Sequence, residues 1–201
     1  MNYKEITKTT YNTYPNKFDS YFQKSFDNYT KPSANLFLKN LNGKNILDLG
    51  SGPGNDAKYF KDKGFNVHCV DISEQMIRLC KEKGLKAEVM DIENLKLNQE
   101  YDGIWANASL LHLKKRSMPK VIEKLKSLLK PEGILFIAVK EGNKEIFEKR
   151  EKYPNTKRFF SYFTKEEIKN LFKDFEEIHF SRKIISKKSI FIRFIFKTRS
   201  Q

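Results

Sequence analysis

The strongest chemical signal in the chain is the run Leu47-Asp48-Leu49-Gly50-Ser51-Gly52-Pro53-Gly54. An apolar stretch leads into it and a helical pattern leaves it. Glycines at such a junction let the backbone turn tightly and approach a ligand with no side chain in the way. The helix that follows offers free N–H groups. Asp71 ends the next apolar run, about 20 residues on, where a carboxylate can accept both hydroxyls of a ribose. Turn and acid together describe a site for an adenosine-containing ligand.

The spacing separates two kinds of ligand. Dinucleotide sites usually show G-x-G-x-x-G. Here the glycines fall at positions 50, 52 and 54, position 55 is Asn, and Asp56 stands at the helix start. A carboxylate there would repel a pyrophosphate. S-adenosylmethionine (SAM) has no phosphate and carries a cationic sulfonium, so it tolerates nearby acids. Methyl transfer from SAM is an in-line displacement at an activated carbon, and positioning supplies much of its rate. A protein base is needed only for a weakly acidic acceptor. On the acceptor side, His112 in SLLHL is a candidate base or pocket wall. Lys140, in Lys140-Glu141-Gly142-Asn143-Lys144-Glu145, and Arg158, in KRFFSYF, could pair with an anionic acceptor.

These residues need a frame that brings them together. Strand and helix signals alternate along the chain, the pattern of an α/β fold with a parallel sheet covered by helices. Strands are expected at 44–49, 66–70, 86–90, 103–106 and 134–140, the last entered by a turn at Pro131-Glu132-Gly133. Helices are expected at 56–63, from an N-cap at Ser73 to Lys83, at 117–129, and from an N-cap at Thr164 to Phe172. Two closing strands, 176–185 and 189–197, are joined by a lysine-rich turn. The first 30 residues are rich in aromatics, Tyr11, Tyr14, Phe18, Tyr21, Phe22, Phe26 and Tyr29 among them, and read as a loop and helix lying over the domain. A single domain over 1–201 is expected, with 1–30 as a lid segment.

Composition narrows the classes of function. The net charge is +14, and it is regional: residues 101–201 carry 24 basic and 12 acidic side chains, a net of +12. Such asymmetry points to an anionic partner, nucleic acid among them. Lys supplies 32 of the 39 basic residues, which an AT-rich genome would also produce. No stretch approaches the roughly 20 apolar residues of a membrane helix. The N-terminus lacks the apolar run of a signal peptide, so a cytoplasmic protein with no membrane partner is expected. Cys69 and Cys80 read as reduced packing residues, and so few Cys and His make no metal site expected.

The runs ILDLGSGPG, VDISEQMI, MDIENL, YDGIWANASLLHL and LKPEGILFIAVKEG resemble those of the class I SAM-dependent methyltransferases, in particular small members with a generic methyltransferase domain. The resemblance covers about residues 10–175. It implies a Rossmann-like seven-stranded mixed sheet in the order 3-2-1-4-5-7-6, strand 7 antiparallel, flanked by helices. It implies a SAM site made of Asp48, Gly50, Ser51, Gly52, Gly54, Asp71, Ile72, Met76, Asp91, Ile92 and Asn107. In that site Gly50 and Gly52 contact the methionyl part and Asp71 holds the ribose. Ile72 and Met76 pack on the adenine, Asp91, beside Ile92, accepts from its amino group, and the Asn107 carbonyl meets the SAM ammonium. Asp48 either orders the turn or touches the ligand.

The run Tyr11-Asn12-Thr13-Tyr14-Pro15-Asn16-Lys17-Phe18 resembles the family's lid, with Phe18 in place of a second tyrosine; Asn55 stands where an Arg is frequent. Tyr14 joins His112, Lys140 and Arg158 as an acceptor-side residue. The chain lacks an N/D-P-P-Y signature and a Pro-Cys nucleophile. A small-molecule methyltransferase leads. An RNA (tRNA or rRNA) methyltransferase using the basic C-terminal half, and a SAM-binding interaction module without turnover, are the alternatives. Oligomeric state is left open.

Overall fold

The apolar runs become strands at the expected places in the computed structural model, which describes residues 2–186 and 189–199. The sheet strands are β1 (Asn45–Leu49), β2 (Asn66–Asp71), β3 (Lys86–Val89), β4 (Tyr101–Asn107), β5 (Leu129–Glu141), β8 (Phe175–Ser186) and β9 (Ser189–Thr198), with a hairpin of β6 (Glu145–Glu148) and β7 (Arg158–Phe163) between them. The helices are α1 (Tyr3–Thr13), α2 (Pro15–Ser25), α3 (Lys31–Lys39), α4 (Asn55–Asp62), α5 (Glu74–Glu82), α6 (Met118–Ser127) and α7 (Lys165–Leu171), with a π-turn over Phe26–Thr30.

Strands β3, β2, β1, β4 and β5 run parallel in that order, β9 lies antiparallel against β5, and β8 flanks β9. Setting the hairpin aside, the seven strands follow the order 3-2-1-4-5-7-6 with strand 7 antiparallel. Crossover helices put apolar surface on both sheet faces, so the central strands are near-continuous apolar runs. Trp105 in β4 is fully buried and stacks on Phe136 of β5 with centroids 3.8 Å apart.

The caps read from sequence are present. Ser73 Oγ accepts from Met76 N, and Thr164 with Glu167 forms a capping box. Four features differ from the sequence expectation. The Pro131-Glu132-Gly133 turn lies inside β5. There the register slips between Tyr101↔Leu129 and Gly103↔Ile134, and Glu132 takes φ 63°. The extra residues bulge out and the ladder resumes beyond them. Strand β4 begins two residues early, because Tyr101 pairs with Leu129 and its hydroxyl is hydrogen-bonded to His68 Nδ1 at 2.7 Å. The first 40 residues form three helices, with Pro15 and Pro32 each in a first turn.

The fourth difference matters most for function. The segment after β5, to which the sequence reading assigns no strand, forms the β6–β7 hairpin over 145–163. β4 pairs with β5 only as far as Asn107↔Ala138, and β7 pairs with β5 from Lys140↔Tyr162 onward. Because β9 already pairs with Lys140 on the other edge, β7 takes over the edge that β4 leaves. The lysine-rich turn at Lys187–Lys188 lies outside the described residues.

Candidate active site

The glycine-rich turn between β1 and α4 floors a cavity at the C-terminal ends of β1, β2 and β4. Gly50 N and Ser51 N both donate to Val70 O, at 2.7 and 3.0 Å, which ties the turn to β2. Gly52 N donates to Asp71 Oδ2 at 2.9 Å, and the Cys80 thiol donates to Gly52 O at 3.1 Å. Cys80 therefore does more than pack. The three glycines have positive φ for different reasons. A Cβ on Gly50 would strike Ser109 Cβ at 2.4 Å, and one on Gly54 would strike Leu85 Cδ1 at 2.6 Å. On Gly52 it would meet only the Phe22 ring, at 3.5 Å, and would otherwise project into the cavity. Gly54, expected in the ligand site, does not line the cavity; its role is to let α4 start against α5.

Asp48, Gly50, Ser51, Gly52, Asp71, Ile72, Met76, Asp91, Ile92 and Asn107 all line the cavity. Asp71 accepts from Gly52 N and, through Oδ1, from Ser73 N at 2.9 Å. Burial raises its pKa to about 6, against the lowering effect of those N–H groups. A carboxylate has about four acceptor positions, so capacity remains for a hydroxyl of a ligand. Asp48 is 2 % exposed, and its Oδ2 has no hydrogen-bond partner among the described residues. Burial, then the nearby Asp56, Cys80 and Asp71, pushes its carboxyl well above the usual range.

Sequence reasoning placed Asp56 near the ligand only as an argument against phosphate. It lines the same cavity and accepts from Trp105 Nε1 at 2.7 Å and Asn107 Nδ2 at 2.8 Å. Ala108, with φ 56°, turns the chain sharply out of β4 beside Asn107. Asp91 is engaged by Lys4 Nζ, which also pairs with Glu93 at 2.7 Å. Nothing in the local sequence around Lys4 marks it for this, because its partner lies 87 residues away.

The other end of the cavity is built from α1, the 109–113 segment and the hairpin. His112 donates from Nδ1 to Phe159 O at 2.6 Å, so its Nε2 accepts from the Tyr11 hydroxyl at 2.8 Å. Arg158 Nη1 donates to the same hydroxyl at 2.9 Å. Burial, then the charges of Arg158 and Lys140, lowers the His112 pKa to about 3, so the ring is neutral. Lys140 is 3 % exposed, sits 3.6 Å from the centroid of Phe160, and pairs with Glu148 at 2.6 Å. Burial lowers its pKa to about 8, and the Glu148 partner opposes that fall. His112, Lys140 and Arg158 thus come together as expected from sequence. Tyr14 does not join them: it lies off the cavity lining, and its hydroxyl donates to Pro154 O at 2.8 Å. Glu148, Arg150 and Lys152 belong to the site or its wall and were missed, since only the unanticipated hairpin brings them there.

Carboxylates at one end, a floor open over Gly52, and an orphaned buried oxygen on Asp48 suit a cationic nucleoside, and SAM is one. Fold and site together define a class I SAM-dependent methyltransferase domain. More particularly, the chain belongs to the family described as "Methyltransferase domain", whose model matches residues 21–176. It is 36% identical over 121 residues to the tRNA (carboxymethyluridine(34)-5-O)-methyltransferase of Arabidopsis thaliana, covering 57% of this chain and 28% of that protein. It is 29% identical over 93 residues to the malonyl-[acyl-carrier protein] O-methyltransferase of Enterobacter lignolyticus, covering 45% of this chain and 36% of that one. The chain thus spans about a third of the length of these curated relatives. Its fold is similar to that of the 1,6-didemethyltoxoflavin-N1-methyltransferase of Burkholderia thailandensis, solved with 1,6-didemethyltoxoflavin and S-adenosylhomocysteine bound. There the TM-score is 0.67 at 19% identity, over 92% of this chain and 91% of that one.

Proposed function

We propose that this protein transfers the methyl group of SAM to a small-molecule acceptor. One observation carries the choice of acceptor size: the acceptor end is roofed. Helix α1 is fastened across it by Thr7 to Phe159 N at 3.0 Å, by Thr10 to Lys157 O at 2.8 Å, and by Tyr11 to both His112 and Arg158. A roofed pocket excludes water and holds a small acceptor for in-line attack.

In this proposal Gly50, Gly52, Asp71 and Asn107 seat SAM, with Asp48 and Asp56 answering its positive charge. Asp91 would take the adenine amino group once Lys4 shares or yields it. Bound SAM supplies the electrophilic methyl. Arg158 and Lys140 face the acceptor, and residues 1–30 act as the lid of a single domain spanning 1–201.

An RNA acceptor is the second reading. It is favoured by the net charge of +12 on residues 101–201 and by the tRNA-methylating relative. Labelled SAM, incubated with the protein and either a small-metabolite extract or bulk RNA, separates the two. The expected result is label in the metabolite fraction. Label confined to RNA, with affinity falling steeply as salt rises, would overturn the proposal.

A further inference from the structure

We infer that the methyl acceptor is a carboxylic acid, that Arg158 holds its carboxylate, and that the product is a methyl ester. The inference rests on the small-molecule proposal and names the substrate class within it. Its basis is a mismatch of charge at the acceptor end, together with the engagement of the imidazole and the carboxylate there, His112 and Glu148, by other protein groups.

Arg158 is 8 % exposed and lines the cavity. Its guanidinium lies 5.0–5.6 Å from the ring centroids of Tyr11, Phe18, Tyr153 and Phe160, and it donates to the Tyr11 hydroxyl. Among the described residues it makes no ion pair with a carboxylate. The neighbouring cations differ. Lys4 has Asp91 and Glu93, and Glu148 takes both Lys140, at 2.6 Å, and Arg150, at 3.3 Å. Lys152 adds to the imbalance, since it packs over Tyr153 on the same wall. A buried cation without a counter-ion is costly, and a ligand anion removes that cost. The planar fork of a guanidinium matches a carboxylate through two parallel hydrogen bonds.

The second line concerns protons. An alcohol, phenol or amine that enters protonated must lose that proton when it is methylated, and where the roof excludes water the receiver is a side chain. His112 has both nitrogens engaged, by Phe159 O and the Tyr11 hydroxyl, and its lowered pKa leaves it a weak base. Glu148 is held by Lys140, Tyr162 and Arg150, which keep its carboxyl near 2 against the effect of burial. A carboxylate needs no such receiver. One oxygen forms the new O–CH3 bond as the S–CH3 bond breaks. The bonding pair returns to sulfur, which becomes a neutral thioether, and the carboxylate becomes a neutral ester. No proton moves and both charges are consumed.

The test uses the full chain with methyl-tritiated SAM and a small-metabolite extract, followed by mild alkali. A methyl ester releases its label as volatile methanol, whereas ethers, N-methyl and S-methyl products do not. The expected result is alkali-labile label. R158Q should lose it by roughly tenfold to a hundredfold, the effect of removing a charged hydrogen bond, with SAM affinity by calorimetry unchanged. R158K, which keeps the stem and charge, should recover only part of the rate because it lacks the fork. Alkali-stable label in small molecules would overturn this inference while leaving the small-molecule proposal standing. Label only in RNA, or in no pool, would overturn both. Should R158Q fail to fold, the alkali lability of the wild-type product still decides the question.

Discussion

Asp71 joins two tasks in one side chain. It pins the glycine turn through Gly52 N and Ser73 N, and its remaining acceptor positions face the cavity. Replacing it with alanine should weaken SAM binding by roughly tenfold to more than a hundredfold while the chain still folds. Calorimetry beside circular dichroism checks both halves. Its protonation adds a pH signature. Burial raises the folded pKa to about 6, above the unfolded value near 3.8. The protonated form is favoured by the empty fold, so the stability this group contributes is lost as pH rises from about 4 through 6. SAM needs the charged form, so its affinity should fall as pH drops below 6. A SAM affinity flat between pH 5 and 7.5 would contradict the assignment. His112 has the opposite sign: its folded pKa of about 3 lies below the ordinary imidazole value of 6.5. Its contribution is full above pH 6.5 and is lost on acidification, so H112Q should flatten the fall in melting temperature between pH 6.5 and 5.

At the level of elements, α1 decides how the site closes. The sequence expectation was of an N-terminal segment free to close over a ligand. The structure shows it already fastened, with Thr7 and Thr10 buried and their hydroxyls spent on the 157–159 backbone. Deleting residues 2–13 should therefore lower the melting temperature by about 5 °C or more, given 2–4 °C per kcal/mol at this size, as well as abolish turnover. A melting curve that matches the full chain would show that α1 is not packed as described. Tyr11→Phe is the milder probe. It removes the hydroxyl shared by Arg158 and His112 but keeps the ring against Phe18. It should lower turnover by several-fold to about a hundredfold with little change in SAM affinity.

Over the whole molecule, charge is sorted. Asp48, Asp56, Asp71 and Asp91 line one end of the cavity, with Lys4 on Asp91 and Arg193 near Asp56, while Lys140, Arg150, Lys152 and Arg158 line the other with Glu148 as their carboxylate partner. That polarity suits the proposed pairing of a cationic donor with an anionic acceptor. The net charge of +14 also makes weak RNA association expected. If the acceptor is a small molecule, bulk RNA should bind with a steep salt dependence yet not compete with methyl transfer at 0.15 M salt. Competition by RNA at that ionic strength would favour the RNA reading. No helix among the described residues is long and apolar enough to cross a membrane.

The alternation of apolar runs, the glycine turn with Asp71 at the next strand end, and the caps at Ser73 and Thr164 were legible in the chain itself. Each depends on residues close in sequence, where period, backbone freedom and capping chemistry act locally. What the tertiary structure decided was pairing at a distance. Lys4 reaches Asp91, Glu148 neutralises Lys140, and Tyr11 bridges Arg158 and His112. The hairpin that makes the acceptor wall was hidden because Arg158-Phe-Phe-Ser-Tyr-Phe163 is buried on nearly every side and shows no alternation. Gly54 and Tyr14 matched a family pattern, yet one sits against Leu85 and the other donates its hydroxyl to the Pro154 carbonyl. A motif specifies which residue types can do a chemistry; which of them face the cavity, and which have had their charge answered already, is settled only when remote segments meet.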